Sequence, residues 1–325
     1  KGHNTEEAIT LVTNKIERLR HSKILGACVA IDIKGAFDNL SHYSIIRSMK
    51  IKGINPNLIA VVGNYLEGRS STFMGHETQL SRGCPQGSVL GPLLWNIAYD
   101  QVLDRLNSEK LWHCCYADDT LIIVTALTAS VLQMNIKRLL EIIEEELSYH
   151  DLTMNINKTE VMVIDGRRKK LRLDANRYRQ FKYKNHIICN STSLKYLGVK
   201  IDHKLFFDEH FIYLQDKSSK LINKLALVCR NLSGYSNNSR RLMYQATVGA
   251  IWKYASTVFV HRLMLKRNKD RIRSVHRKVL IKCFRAYVST GYLPLTILNC
   301  WPPMELEILE RCIMYAHSRN LTIAV

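Results

Sequence analysis

Long apolar runs are missing from this sequence. No stretch reaches the roughly 18 residues that a membrane-spanning helix needs. The longest candidate, residues 248–260, is interrupted by Lys253, and no signal-peptide pattern is present. The chain begins on Lys1 just before a helix-start signal. We therefore expect no membrane span, and we expect these residues to be a piece of a longer polypeptide.

Paired cysteine motifs are also missing. The nine cysteines are scattered and contain no Cys-x-x-Cys, which argues against a zinc ribbon and against a disulfide framework. Cys283, Cys300, Cys312 and His317 do not have the spacing of a zinc knuckle. Reduced thiols fit the cytosol or the nucleus.

Acidic residues are scarce. The chain of 325 residues has 28 Asp and Glu against 47 Lys and Arg, a net charge of +19. A positive field of this size favours a polyanionic partner, with nucleic acid as the first choice and an anionic membrane surface as the second. The length allows two or three domains.

Two adjacent carboxylates stand out against this basic background. Tyr116-Ala117-Asp118-Asp119 lies between two apolar runs, which predicts a hairpin with an acidic tip. Asp32 ends another buried run, residues 27–31. A solvated turn would explain the pair alone. Three carboxylates at one sheet edge, however, need cations, and Mg²⁺ prefers such oxygen ligands.

Apolar spacing predicts the main elements around this edge. Helices are expected at about 5–21, 41–49, 55–66, 89–106 and 131–150, and strands at 24–33, around 73–74 and within 152–164. Residues 181–201 indicate a small β unit. From about residue 205 the pattern is helical, and residues 262–285 carry ten Lys or Arg against one acid. An apolar seam runs through that basic segment, so one face can pack while the other faces a nucleic-acid backbone.

Two loops admit either a structural or a functional reading. The first loop is Arg82-Gly83-Cys84-Pro85-Gln86-Gly87-Ser88. Its glycines and proline impose special backbone angles, which would let the main chain approach a ligand closely. The alternative is that the loop only connects a strand to a helix. The basic run at 167–179 is either solvated or in contact with phosphate.

The order of the motifs resembles a known enzyme family. The stretches are Asp32-Ile33-Lys34-Gly35-Ala36-Phe37-Asp38, then 83–92, then 116–119, Asn157-Lys158-Thr159 and Tyr196-Leu197-Gly198. Together they resemble the reverse transcriptases of non-LTR retrotransposons. The second stretch and residues 291–307 resemble the arthropod elements related to jockey and to the lineage that inserts into ribosomal RNA genes.

The resemblance implies an α+β fold, a right-hand polymerase with an antiparallel palm sheet, partial fingers and an all-helical thumb. Residues 1–23 would be a partial fingers helix, and 24–205 the palm, with a fingers segment at 50–92. Residues 206–325 would form the thumb and a C-terminal extension.

The resemblance also implies roles for single residues. Asp32, Asp118 and Asp119 match the palm carboxylates that bind two Mg²⁺ ions, for which Mn²⁺ can substitute. Lys158 matches a lysine proposed as general acid for pyrophosphate. The nucleotide site would include Phe37, as the gate against a 2′-hydroxyl, with Gln86 and Gly87. Primer and template contacts would come from Tyr116, Leu197, Gly198, Lys266, Arg267, Lys269 and Arg271.

The implied activity is RNA-directed DNA synthesis. Its partners would be an RNA template, a DNA primer or target DNA, and deoxynucleoside triphosphates. Synthesis at the target would occur in the nucleus, after translation in the cytoplasm. The triphosphate-binding fingers would precede Lys1, so we expect weak or no activity from these 325 residues alone, and an endonuclease in the parent protein. An inactive retroelement remnant that only binds nucleic acid, and an RNA-templated RNA polymerase, remain as alternatives.

Overall fold

The computed structural model describes residues 4–22, 24–85, 87–166, 180–231, 236–284 and 286–319. Backbone contacts divide the chain into two units. The sheet unit is Asn14–Leu197, and the helical unit is Lys1–Thr13 together with Gly198–Val325. The predicted basic loop at 167–179 lies outside the described residues.

The first helix, α1, is Thr5–His21, and its first part groups with the helical unit. Asn4 caps it by accepting the Glu7 N–H at 2.9 Å, as its position before an apolar stripe predicts.

The sheet unit contains the remaining strands and helices up to residue 197. Its helices are α2 (Ala36–Asn39), α3 (His42–Ile51), α4 (Pro56–Leu66), α5 (Gly91–Ser108) and α6 (Ala129–Tyr149). Its strands are β1 (Leu25–Ile31), β2 (Ser70–Phe73), β3 (His76–Gln79), β4 (Trp112–Tyr116), β5 (Asp119–Ala126), β6 (Glu160–Asp165), β7 (Gln180–Tyr183), β8 (His186–Cys189) and β9 (Ser193–Tyr196). The predicted elements are thus present, except that Met74 lies in the β2–β3 turn and not in a strand.

The main sheet has the order β4-β5-β1-β6. Strand β1 is antiparallel to both neighbours and almost wholly buried, which explains its nearly continuous apolar sequence. Helix α6 packs on β5 and β1 and closes one face of the sheet. This arrangement confirms the predicted α+β class.

After residue 197 the helical unit continues with strand β10 (Val199–Asp202). Its helices are α7 (Asp208–Asn231), α8 (Asn237–Tyr244), α9 (Ala250–Lys253), α10 (Ser256–Leu263), α11 (Lys266–Phe284), α12 (Tyr292–Leu298) and α13 (Met304–Ser318). A π-helical turn, Gln245–Gly249, joins α8 to α9. Its core is aromatic: Phe211 packs against Trp252 and Phe259, all fully buried. The helical pattern predicted from about residue 205 is confirmed.

Two further observations concern the chain as a whole. In the part of the chain that the structure describes, no helix is long and apolar enough to span a membrane. Among the cysteines whose side chains are described, Cys189 and Cys300 are exposed, one in each unit, and none of them forms a disulfide.

Candidate active site

The acidic hairpin forms as predicted. Strands β4 and β5 pair through Tyr116 and Asp119, so Ala117 and Asp118 are its two-residue turn. Ala117 has a φ of 53°, the left-handed conformation that a tight hairpin needs and that alanine adopts at a cost. Both aspartates are exposed at the tip, and Tyr116 is partly exposed beside them.

The sheet register brings the third carboxylate to the same end. Ile31 pairs with Thr120, so Asp32 leaves β1 where Asp119 enters β5. Asp32 and Asp118 line one cavity of about 450 Å³. Its wall also includes Lys34, Phe37 and Lys158, together with Ile33, Gly35, Ala36, Asp38 and Asn155. Residues 86 positions apart in sequence therefore share one cleft.

The carboxylates repel each other in this arrangement. The pKa of Asp119 is raised, first because its partly buried carboxyl group loses solvent on one side, which disfavours the charged form, and then because Asp118 and Asp32 carry like charge. Lys195 acts in the opposite direction but does not cancel these effects. A bound cation would relieve this repulsion.

The donor chemistry of this edge fits a hard divalent cation. Asp32 and Asp118 present carboxylate oxygens to a polar cleft, with Asp119 adjacent in sequence to Asp118. Within the described ranges, no three His, Cys, Asp or Glu side chains are already gathered closely enough to hold a metal ion. The side chains present therefore supply two candidate ligands on the cleft wall and a third beside it.

Lys158 lies in the same cleft because backbone bonds hold its loop against the residues after β1. Asn155 N–H donates to the Asp32 carbonyl at 2.8 Å, and Lys34 N–H donates to the Thr153 carbonyl at 2.9 Å. Lys158 Nζ is 3.9 Å from Asp32 Oδ2. Both side chains are substantially exposed, so the pair contributes little to stability and leaves Lys158 able to move.

Phe37 forms part of the cleft wall from the other side. Its ring is half-buried and packs on Trp95, with ring centroids 5.0 Å apart. The Phe37 carbonyl accepts the Cys84 N–H at 2.7 Å, which ties the helix after Asp32 to the glycine-rich loop.

The chain is closely packed at Gly83 in that loop and at Gly91, where α5 begins. A Cβ on Gly83, where φ is 98°, would lie 3.1 Å from the Asp38 carbonyl oxygen, and one on Gly91 would lie 2.6 Å from the Pro85 carbonyl oxygen. Gly87 is exposed with a φ of 82°. Gln86, the other predicted nucleotide-site residue of this loop, lies outside the described residues.

The predicted primer-contacting turn lies where the chain passes from one unit to the other. Leu197 and Gly198 have φ values of 45° and 81°, so both adopt the left-handed conformation. Just before them, the buried Tyr196 hydroxyl donates to the Cys114 carbonyl at 3.0 Å, which fixes this end of the sheet unit.

In the basic segment of the helical unit, residues 262–285, some of the described Lys and Arg side chains form ion pairs and others do not. Arg267 forms an ion pair with Asp208 at 2.6 Å, and Arg273 with the buried Glu305 at 2.7 Å. The predicted seam of Ile272, Val275, Val279 and Cys283 is buried in α11. Within the described residues, Lys266 and Lys269 have no ion-pair partner.

Comparison with known proteins agrees with the motif order. Residues 1–201 match the family described as Reverse transcriptase (RNA-dependent DNA polymerase). The chain belongs to the reverse transcriptase family. This confirms the predicted enzyme class, a nucleotidyltransferase, and the α+β polymerase palm as its fold. Reverse transcriptases depend on divalent metal ions, which agrees with the donor chemistry of the cleft.

Relatives of this reverse transcriptase domain are arthropod element proteins, as the motifs predict. It is 25% identical over 325 residues to the retrovirus-related Pol polyprotein from type-1 retrotransposable element R1 of Bradysia coprophila, covering 99% of this chain and 32% of the relative. It is 25% identical over 294 residues to the RNA-directed DNA polymerase from mobile element jockey of Drosophila funebris, covering 86% and 31%. The chain thus spans about a third of the length of these relatives.

Solved structures with similar backbones include a telomerase from Candida albicans in complex with a fragment of telomeric RNA. The identity to that telomerase is 11%, the TM-score is 0.46, and the match covers 92% of this chain and 54% of the telomerase.

The sequence pattern did not single out the aromatic residues behind the site. The apolar spacing predicts Leu90, Leu94, Ile97 and Leu103 as the inward face of α5. Leu94 is buried, and the other three are partly buried and pack against the same core. Trp95 and Tyr99 are also buried, in line with Val102 and Leu106. Their spacing of four, three and four residues is the signal that could have found them.

Proposed function

We propose that this reverse transcriptase domain extends a DNA primer on an RNA template, within a longer retrotransposon polyprotein. The observation that carries the proposal is that Asp32 and Asp118 line one cleft, with Asp119 beside them, in a chain of this family. The parent protein would also contain an endonuclease and act in the nucleus, where nicked target DNA primes synthesis.

Asp32 and Asp118 would hold two Mg²⁺ ions, or Mn²⁺ in their place, with Asp119 in support. The ions would lower the pKa of the primer 3′-hydroxyl and neutralise charge on the phosphates. Lys158 can reach the departing pyrophosphate because it is exposed and only loosely paired with Asp32. It would donate a proton to an oxygen of that leaving group. Gln86 and Gly87 would help to position the incoming base.

Phe37 would select the sugar. Its ring forms cleft wall near Asp32, so a 2′-hydroxyl on the incoming nucleotide would collide with it. Phe37→Val should raise ribonucleotide incorporation relative to deoxynucleotide by roughly 10- to 100-fold, since one apolar contact is worth about 1–3 kcal/mol. Single-nucleotide incorporation by the full-length protein measures this ratio. An unchanged ratio would remove Phe37 from the gate and favour the RNA polymerase alternative.

Lys266 and Lys269 would contact the nucleic-acid backbone, together with Arg271, and Tyr116 and the Leu197-Gly198 turn would contact the primer and template. Lys266→Gln with Lys269→Gln should flatten the slope of log affinity against log salt by up to about two units, one per lost phosphate contact. Fluorescence anisotropy with an RNA–DNA hybrid measures the slope.

Arg267→Gln should change that slope less, because Asp208 already neutralises Arg267. Lys137→Gln, on an exposed face of α6, removes the same charge and should leave the slope unchanged. Equal slopes for the double variant and the wild type would make Lys266 and Lys269 solvated surface residues.

The proposal is tested by primer extension. The full-length protein should extend oligo(dT) on poly(rA) with dTTP and Mg²⁺, and should stop when the metal is chelated. Robust extension by the 325 residues alone would contradict the expectation that these residues have weak or no activity by themselves. Hybrid binding without any extension by the full-length protein would favour the inactive remnant.

A further inference from the structure

Helix α5 presents two aromatic side chains, one turn apart, to the back of the acidic hairpin. Trp95 and Tyr99 are 1% and 4% exposed. Their rings stack with centroids 5.2 Å apart and planes 17° from parallel. Side chains four residues apart lie on the same helix face, so the two act on the hairpin from one rigid support.

Trp95 holds the residue that precedes Asp118. Its indole Nε1–H donates to the Ala117 carbonyl at 3.0 Å. Ala117 is the left-handed residue of the turn, a conformation that costs about 1–2 kcal/mol for a residue with a Cβ. The hydrogen bond fixes the orientation of the peptide that enters Asp118. It therefore helps to set where the Asp118 carboxylate points.

Tyr99 holds the residue that follows Asp119. Its hydroxyl and Thr120 Oγ1 are 2.7 Å apart, and both residues are buried. The residues on both sides of Asp118-Asp119 are thus hydrogen-bonded to side chains of α5. The Tyr99–Thr120 bond is buried, so losing either hydroxyl would leave a buried polar group without its partner. The Trp95–Ala117 bond is partly buried.

The same indole also touches the cleft wall. Trp95 packs against Phe37 at 5.0 Å, with the ring planes 31° apart. Phe37, Asp32 and Asp118 line one cleft, so a single side chain supports both its aromatic wall and its acidic edge.

We propose that Trp95 is a positioning residue that couples the two halves of the site. Its N–H sets Asp118 for metal binding, and its ring sets the position of Phe37 for sugar selection. The inference rests on the proposed function. It adds to that function a residue, Trp95, that would contact neither the metal ions nor the nucleotide. Its two contacts can be separated, because phenylalanine keeps a ring and loses the N–H, whereas leucine loses both.

The first test is direct metal binding by the 325-residue chain, followed by the electron paramagnetic resonance signal of free Mn²⁺. Trp95→Phe should weaken Mn²⁺ binding about 10-fold, the lower end of the range for residues that orient metal ligands. Trp252→Phe is the matched control. Trp252 is also fully buried and also donates its indole N–H, to Ser218 Oγ at 2.9 Å, but it lies in the helical unit. It should leave Mn²⁺ binding unchanged.

The second test is nucleotide incorporation by the full-length protein. Trp95→Phe should lower kcat by about 10- to 100-fold and keep the preference for deoxynucleotides. Trp95→Leu should lower kcat and also reduce that preference. A general loss of folding would not separate the two variants in this way, and Trp252→Phe should change neither quantity.

The possible results distinguish failure of the Trp95 inference from failure of the proposed function. Wild-type affinity for Mn²⁺ in Trp95→Phe would overturn the role of the N–H, and an unchanged sugar preference in Trp95→Leu would overturn the role of the ring. If Mn²⁺ binding does not depend on Asp118 at all, the metal assignment in the proposed function is wrong, and the inference falls with it.

Discussion

Asp118→Asn should reduce primer extension by at least about 1,000-fold while leaving affinity for an RNA–DNA hybrid unchanged. Asparagine has nearly the same shape as aspartate but lacks its negative charge, so metal binding at the cleft would be weakened. Metal stabilisation of a phosphoryl-transfer transition state is worth several kcal/mol, and about 4 kcal/mol corresponds to this factor. Extension by the full-length protein and hybrid binding by anisotropy measure the two quantities.

Asp104→Asn supplies the control. Asp104 is exposed on α5 and is not part of the cleft wall, so the same chemical change there should preserve activity. If Asp118→Asn retained more than a tenth of wild-type extension, the two-metal assignment would fail. If wild type and variant extended equally poorly, the domain would be a nucleic-acid-binding remnant.

Arg311→Leu should destabilise the helical unit by about 3–5 kcal/mol. Glu6 is 5% exposed, and the Arg311 guanidinium donates to both of its carboxylate oxygens, at 2.9 and 2.6 Å. Removing the arginine leaves a buried negative charge with hydrogen bonds from Thr257 but no cation, which is far more costly than losing a surface pair. Hydrogen exchange of amides in α13 under increasing urea measures the change.

The control for this variant removes the carboxylate as well. Glu6→Leu combined with Arg311→Leu should recover most of the lost stability, because no buried charge remains. A loss below about 1 kcal/mol in Arg311→Leu would show that solvent reaches Glu6 freely.

The same pair gives a pH dependence of known sign. Burial alone would raise the pKa of Glu6, but hydrogen bonds from Arg311 and Thr257 and the Arg311 charge lower it overall. The Glu6–Arg311 pair therefore contributes its full stabilisation to the folded protein at pH values above the ordinary carboxylate pKa of 4.5. Its contribution is lost as the pH falls through the lowered folded-state pKa. The double variant should lack this acid-sensitive step.

Local signals were sufficient to predict much of the fold. Helix α4 has the predicted bounds because Asn55 caps it and Pro56 occupies its first position, both read directly from sequence. Strand β1 was predictable because a strand buried on both faces must be apolar throughout. Met74 was placed wrongly because a short exposed hairpin has no buried face to set its register.

The position of the carboxylates in the candidate site was predictable, because each lies at the end of an apolar run that the sequence shows directly. Asp32 follows β1, and Asp118-Asp119 lies between the runs of β4 and β5, so antiparallel pairing brings all three to one edge. The contacts that support these residues could not be predicted, because they join residues far apart in sequence and no local sequence pattern indicates them. The Trp95–Ala117 hydrogen bond joins residues 22 positions apart, and the Arg267–Asp208 ion pair joins residues 59 apart.

The distribution of thiols makes the two units accessible to spectroscopic labelling. Cys189 and Cys300 are the exposed cysteines among those with described side chains, while Cys28 is fully buried, and burial raises its pKa and suppresses its reactivity. Once Cys229 and the partly exposed Cys114 and Cys115 are changed to serine, a donor and acceptor dye pair attached to the two exposed thiols would report the separation of the units. Energy transfer could then follow hybrid binding in a chain that carries these three substitutions.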